Sequence, residues 1–459
     1  MITSGILATV MLAKAAMRAR KARKQAPSQS SLLFEDWNIN FNLPPKLITR
    51  CAVCWRRRSA KGYWCQYCES RRFRENFSSW TSGNRLIDDF IQETQLNSTW
   101  WAGYLEWIPF KRFQNVEFIA QGGFGSIYSA LWVDGPRWEY VPNAEGFLGS
   151  MWKRKGACKV ALKMLDNSKD IRPEFLHELR AHYKCLSSGL VLTCYGITQH
   201  PDTKDYMMVM DYAKQGDLTH FLRTHMANSD WYRKVRELWY IAQGLKAIHD
   251  ADLVHKDFHS GNILFNTFTR RPAIGDLGLC RPVNEGLDEK PVFGVLPYVA
   301  PEILLGKPYT KASDIYSFSM VMYEVSTLKK PYYNFAHDAS LALDITKGLR
   351  PQILEGTPKQ YVELMKLCWQ KDPIGRPSAA ELVKKLEMLL NDQEINNGVV
   401  PTIHIDENYH PDAVYTSRAL QFPDLKNAKF DSKFENMEND TNVYITRQFE
   451  LSLENLPLD

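Results

Sequence analysis

The chain has 459 residues, 44% hydrophobic and 24% charged, a globular balance that excludes a wholly disordered, collagen-like or membrane-embedded protein. Its formal charge is only +5, from 57 Lys and Arg against 52 Asp and Glu, and net charge therefore makes no case for a nucleic-acid-binding protein. Nine cysteines, four of them between 51 and 68, do not form the dense framework of a secreted disulfide protein, so a reducing compartment, cytoplasmic or nuclear, and one metal site are expected.

In chain order, residues 1–34 hold Lys14, Arg18, Arg20, Lys21, Arg23 and Lys24 and no acid. The apolar run 2–13 closes at Lys14, short of the roughly 18 to 20 residues that span a bilayer, so no membrane span is expected. A flexible basic leader is the preferred reading, with an organelle-targeting helix as the alternative.

Residues 46–76 contain Cys51-x2-Cys54 and Cys65-x2-Cys68, ten residues apart. Two such knuckles present four thiolates to one tetrahedral Zn²⁺, a structural site that can fold a module too small for its own core. Basic residues (Arg56, Arg57, Arg58, Lys61, Arg71, Arg72, Arg74) alternate with Trp55, Tyr63, Trp64, Tyr67 and Phe73. That mixture permits contact with RNA, single-stranded DNA or an acidic protein surface; a solvated basic face around structural zinc is preferred, and nucleic-acid binding is not expected.

Between 77 and 112 lies a helical linker, in which Leu86, Ile87, Phe90 and Ile91 recur at helical spacing after the candidate N-caps Ser82 or Asn84. The aromatic run Trp100, Trp101, Tyr104 and Trp107 is expected to pack on the following body. That body, 113–392, opens with strand-like patterning at Val116, Phe118, Ile119, Ile127, Tyr128 and Leu131 and turns to long helical patterns at 231–250 and 378–390. A β-rich lobe followed by a larger helical lobe, an α+β bilobal fold, is predicted. Residues 393–459 carry twelve acids and five bases without sustained periodicity, which predicts a disordered or peripherally docked acidic tail.

Six motifs in the body carry the chemistry. Ala120-Gln121-Gly122-Gly123-Phe124-Gly125-Ser126-Ile127 is a hairpin whose glycines let backbone N–H groups close over phosphates. Lys163 ends the strand-like Val160-Ala161-Leu162-Lys163, and Glu178 follows fifteen residues later in a helical stretch, a pairing that fixes a cation against nucleotide phosphates. Val254-His255-Lys256-Asp257-Phe258-His259-Ser260-Gly261-Asn262, Ile274-Gly275-Asp276-Leu277-Gly278 and Tyr298-Val299-Ala300-Pro301-Glu302 complete the order. This set resembles the protein-kinase signature, and Cys368-Trp369 through Arg376-Pro377 looks like the tyrosine-kinase-like group of serine/threonine kinases. With the cysteine module in front, the chain also resembles zinc-plus-kinase proteins of fungi.

The resemblance implies ATP, Mg²⁺ and protein substrates. Asp257 would accept the proton of a serine or threonine hydroxyl, and Asn262 and Asp276 would hold Mg²⁺. Met210 would stand at the gatekeeper position, the backbone of Asp211 and Ala213 would bond adenine, and Ile127, Ala161 and Leu264 would sandwich it. An ion pair between Glu302 and Arg376 is implied as well. The competing reading is a nucleotide-binding pseudokinase scaffold, because Ala120, Lys256, His259 and Val295 depart from the pattern. His259 stands in place of the catalytic-loop lysine, which would make turnover pH-sensitive near the ordinary imidazole value of about 6.5.

Two further expectations concern loops. Lys163 follows Gly125 by 38 positions, which predicts an extended insertion between two strands. From Asp276 to Glu302 the only hydroxyl is that of Tyr298. The segment is therefore not expected to be switched by phosphorylation; Asp288 and Glu289 either supply a substitute negative charge near Lys256 or form a solvated acidic loop.

Overall fold

The computed structural model describes residues 50–51, 53–58, 64–122, 125–137, 139–141, 151–164, 168, 173–227, 229–265, 271–282, 292–397 and 408–422. The basic leader and the acids Asp288 and Glu289 lie outside the described residues.

Helix α1 (Gln66–Asn76) begins immediately after Cys65, and α2 (Arg85–Asn97) begins where the Asn84 side chain accepts the Leu86 N–H. Ile87, Phe90 and Ile91 are buried, but Leu86 is 58% exposed and does not share the apolar face its spacing implied. Helix α2 grips the next strand, β1 (Glu106–Trp107): Thr94 Oγ1 accepts from the Leu105 N–H at 3.0 Å, and Gln95 Nε2 donates to the Leu105 carbonyl at 2.9 Å.

Strands β2 (Phe113–Gly122), β3 (Gly125–Trp132), β4 (Glu139–Val141), β5 (Met151–Lys153), β6 (Cys158–Met164), β7 (Cys194–Gln199) and β8 (Tyr206–Asp211) follow, with α3 (Pro173–Cys185) between β6 and β7. Six strands form one sheet in the order β1-β7-β8-β6-β3-β2, antiparallel except for the β1–β7 pair. β4 and β5 form a separate hairpin inside the long insertion between β3 and β6. β1 is therefore an integral edge of the small-lobe sheet rather than part of a free linker, because Leu105 and Ile108 on either side of it are buried. Phe118 and Ile119 in the predicted strand are 58% and 47% exposed near the tip of the β2–β3 hairpin.

The large lobe holds α4 (Leu218–His225), α5 (Trp231–Asp250), β9 (Leu253–Val254), β10 (Ile263–Phe265), β11 (Pro272–Ile274), β12 (Arg281–Pro282), β13 (Val292–Gly294), α6 (Pro301–Leu304), α7 (Lys311–Thr327), α8 (Ala339–Lys347), α9 (Lys359–Cys368), α10 (Ala379–Leu390) and α11 (Gln393–Asn397). Helix starts follow their caps: Asp230 accepts from Arg233 N–H, and reciprocal capping boxes form at Thr310 with Ser313 and at Ser378 with Glu381. Helix α7 is buried from Ser313 through Thr327 and forms the axis of the lobe. No described helix is long and apolar enough to cross a membrane.

Glu302 and Arg376 meet in a bidentate pair, both contacts at 2.7 Å, with the guanidinium also donating to the carbonyls of Gln370 and Ala312 at 2.9 Å. Residues 408–422 of the tail are packed on this lobe, and β14 (Arg418–Leu420) pairs antiparallel with β13. Leu420 is buried and joins the large-lobe core.

Candidate functional site

Lys163 faces Ile127 across the β3–β6 pairing, and Glu178 is on α3. The sheet and helix bring the Lys163 ammonium 2.7 Å from Glu178 Oε1 and 2.7 Å from Asp276 Oδ1. Burial opposes a charged lysine, but the two carboxylates outweigh it and raise its pKa. Burial also opposes ionisation of Asp276, yet Lys163 holds that carboxyl down to about 2. Asp276 adopts a left-handed backbone, φ 51°. Gly278 must stay small: a Cβ there would stand 3.1 Å from Glu178 Oε2 and 3.2 Å from Asp276 Oδ1.

Asp257 is buried in the loop between β9 and β10. Asn262 Nδ2 donates to the Asp257 carbonyl at 2.9 Å and approaches its Oδ2 at 3.4 Å. With the amide nitrogen anchored, the Asn262 amide oxygen and Asp276 Oδ2 are the atoms left for a hard cation, an oxygen donor set that suits Mg²⁺. His259 Nδ1 lies 3.1 Å from the Gly261 N–H, an arrangement that in the neutral form leaves the ring proton on Nε2, 3.5 Å from Asp257 Oδ2. Burial pushes the Asp257 carboxyl upward, but the charge and hydrogen bond of His259, with help from His255, hold it below the ordinary carboxylate value.

This loop is held from below by a residue whose role the motif reading missed. Asp314 on α7, almost wholly buried, accepts the N–H groups of His255 (2.8 Å) and Lys256 (3.1 Å) and bonds His249 Nε2 (2.9 Å). Lys256 has φ 69°, so its backbone depends on that support. Two acids, Asp314 and Glu324, within the buried helix 313–327 were the available signal.

Tyr298 is buried, donating to Glu324 Oε2 at 2.7 Å and meeting Ser260 Oγ at 3.1 Å. Its hydroxyl is therefore withdrawn from solvent. Val295, where the pattern expects a threonine, is buried without a hydroxyl.

Of the residues expected around adenine, Ala161 pairs with Met210 across β6 and β8, and Ala161 and Leu264 pack against Met210 in one apolar cluster. Ile127 is one pleat away on β3. Asp211 gives its N–H to the Thr193 carbonyl at 2.9 Å, and Ala213 follows the strand and accepts from Gly216 N–H at 3.0 Å. In the glycine hairpin, Ala120 pairs with Ile127 and Gly122 with Gly125; Gly123 and Phe124 lie outside the described residues.

The four module thiols converge. Cys51 and Cys68 Sγ are 3.7 Å apart, Cys54 and Cys65 Sγ are 3.5 Å apart, and all four lie within 4.8 Å of one another. A tetrahedral Zn²⁺ with bonds of about 2.3 Å requires edges of about 3.8 Å, so this donor set fits one ion. Burial, reinforced by the neighbouring thiols, pushes Cys65 up to about 11, a penalty on ionisation that a dication reverses. Of the module's described aromatic residues, Trp64 and Phe73 are buried, whereas Trp55 is 66% exposed and Tyr67 47% exposed with the Arg56 guanidinium 3.8 Å from its ring centroid.

A family model described as protein tyrosine and serine/threonine kinase matches residues 113–386. Two relatives from Dictyostelium discoideum, each named "probable serine/threonine-protein kinase", are 29% identical over 245 residues (51% of this chain, 18% of the relative) and, for roco6, 32% over 309 residues (62% and 13%). Serine/threonine-protein kinase STY17 of Arabidopsis thaliana is 25% identical over 248 residues, 54% of this chain and 43% of its own. The matched stretch spans under half of each of these relatives.

Proposed function

The chain belongs to the protein tyrosine and serine/threonine kinase family, and from that premise we propose that it is an active kinase transferring the γ-phosphoryl group of ATP to serine or threonine hydroxyls of proteins. The observation that carries this reading is the convergence of a buried, ionised Asp257 with Asn262 on one side and the Lys163–Glu178–Asp276 cluster on the other. A scaffold that only holds nucleotide has no need of a carboxylate base kept below its ordinary pKa.

Lys163, oriented by Glu178, holds the nucleotide phosphates, and Asp276 with Asn262 holds Mg²⁺, which when bound neutralises charge on the phosphates. Asp257 orients the acceptor hydroxyl and takes its proton as the bond to phosphorus forms. His259 supplies the Nε2–H beside Asp257, a hydrogen-bond donor in place of an ammonium, and offers it even when neutral. The apolar faces of Ile127, Ala161 and Leu264 enclose adenine under Met210. Phosphoryl transfer depends on placement and charge neutralisation, which this constellation supports. The thiols Cys51, Cys54, Cys65 and Cys68 hold one structural Zn²⁺.

Asp257→Asn keeps the shape and removes the base, so turnover on a protein substrate such as casein should fall by about 10² to 10⁴. Equal transfer by wild type and variant, or transfer by neither, defeats the catalytic reading in favour of a nucleotide-binding scaffold.

A further inference from the structure

Residues 408–422 of the tail run across the mouth of this site. β14 adds itself antiparallel to β13, with Val292 opposite Leu420, Phe293 opposite Ala419 and Gly294 opposite Arg418. Gly294 lies directly on the base: a Cβ built there would be 3.6 Å from Asp257 Oδ1. The residue preceding its partner Arg418 is Ser417, whose hydroxyl oxygen is buried on the Asp257 side of the strand. It stands close enough to the Asp257 carboxylate to help hold that group ionised.

The path is fixed on both sides of that serine. Tyr415 Oη donates to the Pro331 carbonyl at 2.9 Å and its ring meets His337 edge-on at 4.8 Å. Arg418 Nη2 donates to the His337 carbonyl at 2.9 Å, and His410 N–H to the Tyr333 carbonyl at 2.8 Å. Main-chain pairing with alternating side-chain anchors is the way an extended peptide is recognised by a sheet edge. The segment 276–302, by contrast, offers only the sequestered hydroxyl of Tyr298.

We propose that residues 408–422 are a substrate held in cis, with Ser417 the phosphoacceptor of the chain's own active site. This rests on the catalytic reading above. Asp257 takes the Ser417 Oγ proton as the Oγ–phosphorus bond forms. The bond from the γ-phosphorus of ATP to its bridging oxygen breaks, its electron pair leaves on ADP, and no group is oxidised or reduced. The phosphoserine formed beside Asp257 is repelled by that carboxylate, which releases the strand and opens the groove to other proteins.

The test uses the full chain with Mg-ATP, casein as external substrate, and two variants, S417A and L420D, the second placing a charge where buried Leu420 anchors the strand. Wild type should acquire phosphate at Ser417 at a rate per molecule unchanged over about a hundredfold dilution, as a tethered acceptor requires. L420D should phosphorylate Ser417 about tenfold more slowly and casein faster, because the tether no longer supplies a high local concentration. S417A should lose that phosphopeptide alone. Without nucleotide, hydrogen exchange at 292–294 and 418–420 should be slow in wild type and fast in L420D, a readout independent of turnover. Casein labelled with Ser417 bare, a Ser417 rate proportional to enzyme concentration, or equal exchange in wild type and L420D overturns the assignment while leaving the kinase reading intact. Labelling of neither casein nor Ser417 overturns both.

Discussion

At the scale of single residues, the site is governed by which charges face each buried group. Asp257 is held below its ordinary value against burial, chiefly by His259. Removing that imidazole removes a lowering influence, so the Asp257 pKa rises. His259→Ala should therefore shift the acid limb of the kcat–pH profile to higher pH and lower the plateau, measured on casein between pH 4 and 8; an unmoved acid limb separates the two residues functionally. His182 gives an independent case. It is fully buried on α3, its Nε2 4.0 Å from Glu178 Oε1, and burial together with the Lys163 charge depresses it to about 3. The folded chain keeps it neutral while the unfolded chain protonates it below about 6.5, so stability is lost as pH falls from 6.5 toward 3, at about 1.4 kcal/mol per pH unit. The depressed carboxylates Asp257 and Asp276 cost stability only below their ordinary value of 3.8, which leaves pH 4 to 6.5 to His182 and to His337, which burial also depresses. His182→Leu should flatten the fall of Tm across that window; a slope equal to wild type assigns the acid sensitivity elsewhere. Lys163, Asp257, Asn262 and Asp276 were legible as residue types at fixed spacing, whereas Asp314 was not, since its task is defined by backbone N–H groups some 58 and 59 positions away.

At the scale of elements, periodicity located the long helices because each has one apolar face and a capping residue at its start. Helix α5 occupies the predicted 231–250, and α10 starts one residue after its cap, Ser378. Short strands were less legible. β1 has two residues, and what makes it a strand is the parallel edge of β7. At that edge a Cβ on Gly196 would lie 2.0 Å from the Glu106 carbonyl oxygen, a backbone atom that cannot step aside. Gly196→Ala should detach β1 and expose Leu105 and Ile108, destabilising the fold by about 3 kcal/mol by chemical denaturation. Unchanged stability shows that β1 contributes nothing to the sheet.

At the scale of the whole molecule, the cysteine module and the linker are built into the small lobe. Trp64 Nε1 donates to the Ser98 carbonyl at 2.9 Å, Trp64 stacks on Tyr104 at 5.8 Å between ring centroids, and Arg137 reaches Glu69 at 3.3 Å. Structural zinc binds such thiolate sets with about 10 to 16 kcal/mol, which is folding free energy where the module lacks a core. Atomic analysis of the purified chain should find one zinc, and Cys54→Ser or chelation should lower the Tm of the small lobe together with that of the module. A module that loses metal while the small lobe melts unchanged is an independent appendage.

The sequence by itself determined the two-lobed α+β class, the order of the motifs, the tetrad of thiols and the absence of an acceptor hydroxyl from 276–302 apart from Tyr298, because those properties depend on local spacing and residue chemistry. Tertiary structure alone decided that β1 closes the sheet, that Asp314 carries the catalytic loop, and that Ser417 faces Asp257 across 160 positions of chain. Each of those is a contact between segments distant in sequence, and the free energy that selects it comes from shared burial and paired backbone groups, which no single segment contains.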